Sequence, residues 1–429
     1  MTVCCRRDLS PATELDGKKR HTTIARHRTI MTASQVLSGI RVVEQGTFIT
    51  GPCAGMMLAD LGADVIKIES PEGDPYRSYQ RGLYSPHFQA YNRNKRGIVC
   101  DLKDPGDREV FEQLIAKADV YIQNFRPGTA ARLGAGLERL QRINPSLIYA
   151  SISGFGTSGP YTDRPSYDSV AQALSGFLSV VVDTDRPRFL GPALADAITG
   201  IYAAYGILGA LLERTRTHAG KHLEISMLEA MAHFAVEPFS AYFTLGVNPK
   251  SSDRPRLAQA YILRTADSRL LAIHLSSLEK FWQGLILATE AESLVDDARF
   301  SARLSRIEHY EALGEQLDTI FRRRTLAEWT ERLSKHDVPF APINDVETVV
   351  ADPQVRHLGI VVPVAEWIEG ARHAVRPAFQ FDGQHATSVT AAPSLNQHGD
   401  AIRSSLAVRH NWPAAKDSFV ADVATGCVS

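Results

Sequence analysis

The sequence predicts an α/β chain with a mainly parallel sheet, followed by a smaller α+β unit. Three observations predict it. Short runs rich in Val and Ile recur from Leu37 to Ser153, helix-length segments separate them, and glycine and proline mark the joints. Strands spaced by helices of that length imply crossover connections, and hence parallel pairing.

Ile40–Glu44 reads as a short buried strand. Gly51 and Pro52 open a helix through Leu61, with proline suited to a first turn, and Gly62 ends it. Asp64–Glu69 and Gly97–Leu102 are the next strands. Asp107–Ala116 is helical, Asp119–Asn124 is a fourth strand, and Gly128–Leu133 starts another helix. Ser146–Ser153 is a fifth strand. The pattern then turns helical from Ser166 to Glu213, before a short strand Gly220–Ser226 and a helix from Met227 to about Phe243. Residues 245–260 are polar and loop-like, as a linker would be. Tyr261–Thr265 and Leu270–Leu275 form a hairpin around Asp267 and Ser268. Helices follow near 277–288, 310–321 and 325–336. Extended pieces at Ile360–Val364 and Ala378–Phe381 precede a last helix near Gly399–Leu406 and a polar tail.

A formal net charge of −1 argues against general nucleic-acid binding, which shows a basic surplus. Cys4, Cys5, Cys53, Cys100 and Cys427 have no spacing suited to zinc or to a disulfide framework, so a reducing, cytoplasmic setting is expected. No metal site is expected. No apolar run reaches the ~18 residues of a membrane span. The nearest, Ile198–Leu212, is interrupted by Tyr202, Tyr205 and Gly206. Residues 1–33 are polar, rich in Arg and Lys, and lack a secretory apolar core. They read as a disordered extension, or as sequence upstream of a natural start at Met31.

Asp196 is the most informative residue. It stands between a proline-bounded loop and the run Ile201–Leu212. A carboxylate there is stabilised by a helix N-terminus. It can serve as a cap, or attack an activated acyl carbon. The loop Gly46–Pro52 follows a strand and precedes a helix, where free N–H groups either hold an anion or merely turn the chain. Gly154–Gly159 fits G-x-G-x-x-G, but Pro160 follows and no helix opens there, so it reads as a loop rather than a dinucleotide site. His218 and His222 have H-x-x-x-H spacing without the helix or glutamate of a zinc protease. Asn94, Lys95, Arg96 and Arg132 together supply the donors a phosphate-bearing ligand needs, though a single basic residue is usually a solvated surface group.

Taken in order, several stretches resemble the family III CoA-transferases: Leu37–Glu44, Gly51–Pro52, Leu61–Glu69, Asn94–Arg96, Asn124–Gly128 and Ser153–Tyr161. Others are Ser166–Gln172, Leu194–Asp196, Met227–Ala230 and Val338–Asn344. This is the CaiB/BaiF type, which includes formyl-CoA transferase, the carnitine CoA-transferases and α-methylacyl-CoA racemase. The resemblance runs over about residues 37–406. It implies CoA transfer between an acyl-CoA and a carboxylic acid, with Asp196 as the catalytic aspartate. It implies CoA binding by Thr47, Phe48, Ile49 and Thr50, by Asn124 and Phe125, and by Arg132. Asn94, Lys95 and Arg96 are implied near the CoA, and Met227 near the reacting centre. It implies no permanently bound cofactor. It further implies a large Rossmann-like CoA-binding domain over 34–244, a small domain over 245–345, a return to the large domain over 346–415, a tail at 416–429, and an interlocked homodimer.

Two departures bear on activity. Racemase relatives carry a histidine where Tyr167 precedes Asp168, and histidine is the side chain suited to moving an α-proton near neutral pH. A transferase is therefore expected, with a racemase or a non-catalytic CoA binder as the alternatives. Residues 249–280 hold no glycine run of the kind formyl-CoA transferase uses as a flap. The missing flap disfavours formyl-CoA, and Phe48 and Ile49, in place of a polar pair of that enzyme, suit a bulkier or less polar acyl group.

Overall fold

A six-stranded parallel sheet carries the first half of the chain, in a computed structural model that describes residues 36–413 apart from 81, 184, 190, 277, 278, 368 and 410. Its strands are β1 (Arg41–Gln45), β2 (Asp64–Glu69), β3 (Lys95–Val99), β4 (Val120–Gln123), β5 (Ile148–Ser153) and β6 (Lys221–Ser226). Their spatial order is β3-β2-β1-β4-β5-β6, and every neighbouring pair is parallel. The direction of winding reverses between β1 and β4. Loops leaving the carboxyl ends of these two strands part there and leave a crevice, the usual ligand site of such sheets.

Alternation along each strand fills both faces. Val42, Val65, Val120, Ile122, Ile148 and Ala150 point to one core, and Val43, Ile66, Tyr121 and Tyr149 to the other. Burial on both faces explains the continuous apolar runs in the sequence. The helix Thr50–Asp60 and the helix Leu194–Thr217 cover the first face through Ala54, Leu58, Ala203 and Ile207. The second is covered by Pro105–Ile115 and by Gly399–Arg409, which brings Ile402 and Leu406 back to the sheet.

The helix Leu194–Thr217 has 24 residues and is apolar enough, by length and composition, to cross a membrane. Tyr202, Tyr205 and Gly206 break the apolar run in the sequence but not the helix. Its buried face packs on the sheet.

The stretch from Tyr261 to Val338 fills a separate cluster with its own side chains, including Trp329 stacked on Phe321 at 4.3 Å. It carries a three-stranded sheet of Ala260–Arg264, Leu270–His274 and Phe340–Pro342. The hairpin expected there forms around Asp267 and Ser268.

Four expectations are corrected. The region 166–213 is not continuously helical: Asp168–Leu174 and a short turn at Phe177–Val180 precede the long helix. Gly176 at φ +83°, Gly191 at φ +104°, and Pro187 and Pro192 interrupt it. The stretch 245–260 contains a helix, Asp253–Ala258. Asp345 and Asp352 cap two unexpected helices, Val346–Ala351 and Pro353–His357. Ala378–Phe381 makes only an isolated bridge from Phe381 to Gln384, and the strand falls instead at His373–Val375. The expected extension 1–33 and tail 416–429 lie outside the described residues.

Candidate active site

The crevice between β1 and β4 is a cleft of about 1000 Å³. It is lined by Thr47–Thr50 after β1, by Asn124–Pro127 after β4 and by Ile152–Gly156 around the end of β5. Asp196 and Met227 also line it. The structure thus brings Thr47, Phe48, Ile49, Thr50, Asn124, Phe125, Asp196 and Met227 to one place. The loop of Gly154 and Gly156, set aside as a dinucleotide motif, lines the same cleft. Its position after a parallel strand was the signal for that.

Asp196 is not the cap of its helix. Leu194 is the first helical residue, and Asp196 is the third. The capping falls to Asp168, whose Oδ1 accepts the N–H of Ala195 at 2.7 Å and that of Asp196 at 3.3 Å. Its Oδ2 accepts from Gln172 at 2.6 Å. The Asp196 carboxyl has no hydrogen-bond partner among the described residues and is left to the cleft. Burial first, and then the charge of Asp168, pushes its pKa from 3.8 up to about 7. Burial, Tyr91, Tyr79 and then Asp196 push the Tyr76 hydroxyl up to about 12, and both side chains line the cleft.

One glycine sets the height of Asp196 over the β1 loop. A Cβ on Gly200 would stand 2.6 Å from Cys53 Cβ and 2.9 Å from the Thr50 carbonyl oxygen. Only glycine lets the long helix lie this close to the start of Thr50–Asp60. Asp196 lies one turn before that contact.

The β1 loop is tied down residue by residue. Asn124 Oδ1 accepts the Thr47 N–H at 2.9 Å, and its Nδ2 donates to Thr47 O and Thr50 Oγ1, each at 2.8 Å. Asn124 therefore shapes the loop as well as lining the cleft. Phe48 donates its N–H to Asp74 Oδ1 at 3.0 Å. With Thr47 and Phe48 spent, Ile49 and Thr50 are the cleft-lining residues of this loop whose N–H groups have no acceptor among the described residues.

An aromatic wall that sequence reasoning missed stands beside Asp196. Phe48 meets Tyr76 at 5.6 Å and Tyr167 at 6.2 Å, and Tyr76 meets Tyr79 at 5.2 Å. All four rings line the cleft. They come from three separate loops, so no spacing announces them.

The stretch Asn94–Arg96, expected near the CoA, does not line the cleft. Asn94 bonds Asp60 and Thr390, and Arg96 grips Asp64 through two bonds of 3.0 and 2.7 Å. Lys95 is buried beneath the loop, donating to Glu44, Pro52 O and Asn92 at 2.8–2.9 Å. Lys95 has all three of its donors spent within the fold, and Asn94 and Arg96 are bonded mainly to Asp60, Thr390 and Asp64. Arg132 lies outside the cleft lining and bonds Thr129, which does line it. Among the described residues no group of three His, Cys, Asp or Glu side chains could hold a metal ion.

Residues 37–399 match the model of CoA-transferase family III. A succinate–glutarate CoA-transferase of Agrobacterium fabrum is 34% identical over 339 residues, covering 76% of this chain and 84% of that protein. An acetyl-CoA:oxalate CoA-transferase of Acetobacter aceti is 32% identical over 378 residues, covering 86% and 95%. The crystal structure of a CAIB/BAIF family protein from Brucella suis superposes with a TM-score of 0.78 at 33% identity, covering 86% of this chain and 99% of that one. The chain belongs to CoA-transferase family III. It is a CoA-transferase, with CoA and acyl-CoA as substrate.

Proposed function

We propose that the protein moves CoA from an acyl-CoA donor to a carboxylic acid through covalent intermediates on Asp196. The observation that carries this is a cleft-facing carboxylate without a protein partner, desolvated, beside unspent backbone donors. An Asp196 oxygen attacks the thioester carbonyl. The C–S bond breaks, CoA leaves as thiolate, and a mixed anhydride remains. The thiolate then attacks the aspartyl carbonyl, forming an aspartyl-CoA thioester and freeing the donor acid. The acceptor carboxylate attacks that thioester and again releases thiolate. Attack of this thiolate on the acceptor's acyl carbon yields the new acyl-CoA and restores Asp196. The Ile49 and Thr50 N–H groups stabilise the oxyanion of each addition.

The names of the relatives, succinate–glutarate and acetyl-CoA:oxalate transferases, favour short dicarboxylic acids as partners. The Phe48, Tyr76 and Tyr167 wall favours an acid with an apolar or planar portion. A racemase reading is weaker, because Asp168 has both oxygens occupied and Tyr167 stands where a base would be needed. We place the enzyme in the cytoplasm as an interlocked homodimer. Tyr205, Phe243 and Leu245 are exposed, apolar surface that a second copy would cover.

Incubation with acyl-CoA, trapping with hydroxylamine and peptide mapping tests the chemistry. Asp196 is expected to carry the adduct, and Asp196→Asn to bind CoA without turnover. An adduct on any other residue overturns the mechanism. A panel of carboxylates against succinyl-CoA and acetyl-CoA identifies the acids.

A further inference from the structure

Beneath the β1 loop lies a set of charges with no water contact. The side chains of Glu44, Lys67, Asp74 and Lys95 are each 0% exposed. Desolvation opposes the attraction in such clusters, so they contribute little net stability over apolar packing. What each charge holds supplies another reason for them. Glu44 Oε1 accepts the Gly46 N–H at 2.6 Å. Lys67 Nζ donates to Gly46 O at 2.7 Å and lies 3.1 Å from Asp74 Oδ2 and 3.4 Å from Glu44 Oε1. Asp74 Oδ1 accepts the N–H of Phe48, and of Tyr76 at 2.9 Å.

The residue so held is strained. Phe48 has φ +58°, in the left-handed region that a bulky side chain avoids. Such strain persists only where the surroundings over-determine it, and it gathers at functional sites. Here the turn has two results. It swings the Phe48 ring onto Tyr76 and Tyr167, and it leaves Ile49 and Thr50 as the next N–H groups along the cleft.

The charges agree with this division of labour. Burial disfavours the Lys67 ammonium, yet Glu44 and Asp74 together hold its pKa above the usual value. Burial pulls Lys95 down to about 8, with Glu44 opposing the fall and Lys67 adding to it. Lys67 Nζ lies nearer to Asp74, at 3.1 Å, than to Glu44, at 3.4 Å, and Asp74 is the member that reaches Phe48.

We propose that Lys67 and Asp74 are positioning residues for CoA transfer: they hold Phe48 in its left-handed turn and so aim the Ile49 and Thr50 N–H groups at the thioester oxygen. Neither touches substrate. The inference rests on the acyl-transfer reading given above.

Two variants test it. Asp74→Ala removes the acceptor for Phe48. The double variant Lys67→Met with Asp74→Asn leaves no orphan charge on the pair, keeps an amide oxygen toward Phe48, and removes the Lys67 bond to the Gly46 carbonyl. Each is measured for fold by circular dichroism, for CoA affinity by calorimetry, for kcat and KM, and for the rate of the trapped adduct. The folded double variant is expected to lose about 10²-fold in kcat, as for one preorganised donor, with CoA affinity within about threefold and adduct formation slowed in step with kcat. Asp74→Ala is expected to lose at least as much. A folded variant that keeps kcat within about threefold of the parent overturns the proposal. So does a kcat that falls only with the folded fraction, or a failure of both variants to fold, since the pair is then structural. Loss of CoA transfer in these variants is readable wherever the wild-type adduct maps. A misplaced adduct therefore sinks the Asp196 mechanism without being mistaken for failure of the Lys67–Asp74 role.

Discussion

Replacing Asp196 with asparagine should stabilise the fold, and do so only above acidic pH. The free carboxyl titrates at 3.8 and the folded one at about 7, raised by burial and then by Asp168. Because the folded pKa is the higher one, the folded state holds the proton more tightly. Stability is then lost as pH rises from 3.8 toward 7, and the loss is complete above about 7. At about 1.4 kcal/mol per pH unit the gap sets a ceiling of about 4 kcal/mol. The carboxyl is partly open to the cleft, and water screening brings the expected cost to about 2–3 kcal/mol. Asparagine carries no charge to desolvate and keeps the shape. Urea unfolding of both proteins from pH 4.5 to pH 8 measures the difference. The advantage of asparagine should grow through that range and level off above about pH 7. Parallel curves, or a variant less stable at pH 8 than at pH 5 relative to the parent, would refute a desolvated carboxylate. The same proton sets the rate. For the parent, kcat/KM should rise about tenfold per pH unit below about 7 and flatten above it.

Two further perturbations probe the support of Asp196. Asp168→Asn keeps an oxygen for the Ala195 N–H but removes the neighbouring charge, so the acidic limb of the pH–rate profile should move to lower pH; an unmoved limb leaves burial as the sole cause. Gly200→Ala puts a methyl 2.9 Å from the Thr50 carbonyl oxygen, which cannot give way as a flexible side chain would. The long helix must lift, with an expected loss of about 1–3 kcal/mol in thermal unfolding and about tenfold in kcat per folded molecule, and unchanged kcat would show that the height of this helix is immaterial.

Much of the sheet was legible because its strands are buried on both faces and read as unbroken apolar runs. β2 falls on the expected residues, and β1, β4 and β6 lie within one residue of them at each end. β3 starts two residues early, at Lys95, because Glu44 neutralises a lysine that the sequence alone places at a surface. The position of Asp196 at the mouth of a helix was equally readable. Its freedom from capping was not, since the cap is Asp168, 28 residues upstream. The same limit hid the aromatic wall, which meets only once three loops are in place, and the buried charges, which meet only once β1, β2 and β3 pair beside Asp74. Asn94, Lys95 and Arg96 show the converse: a recognisable motif whose side chains serve the fold away from the cleft.

The outer edge of β3 is sealed by chain from far downstream. Asn396 Oδ1 accepts the Val99 N–H, His398 Nδ1 accepts the Gly97 N–H, and Arg403 donates to Val99 O, at separations of 297–304 residues. A growing polypeptide therefore carries an open strand edge until residue 403 has left the ribosome. Bare edges of this kind recruit other chains. Nonsense or frameshift changes after residue 380 would spare every group in the cleft, yet convert the product into a seed for aggregation.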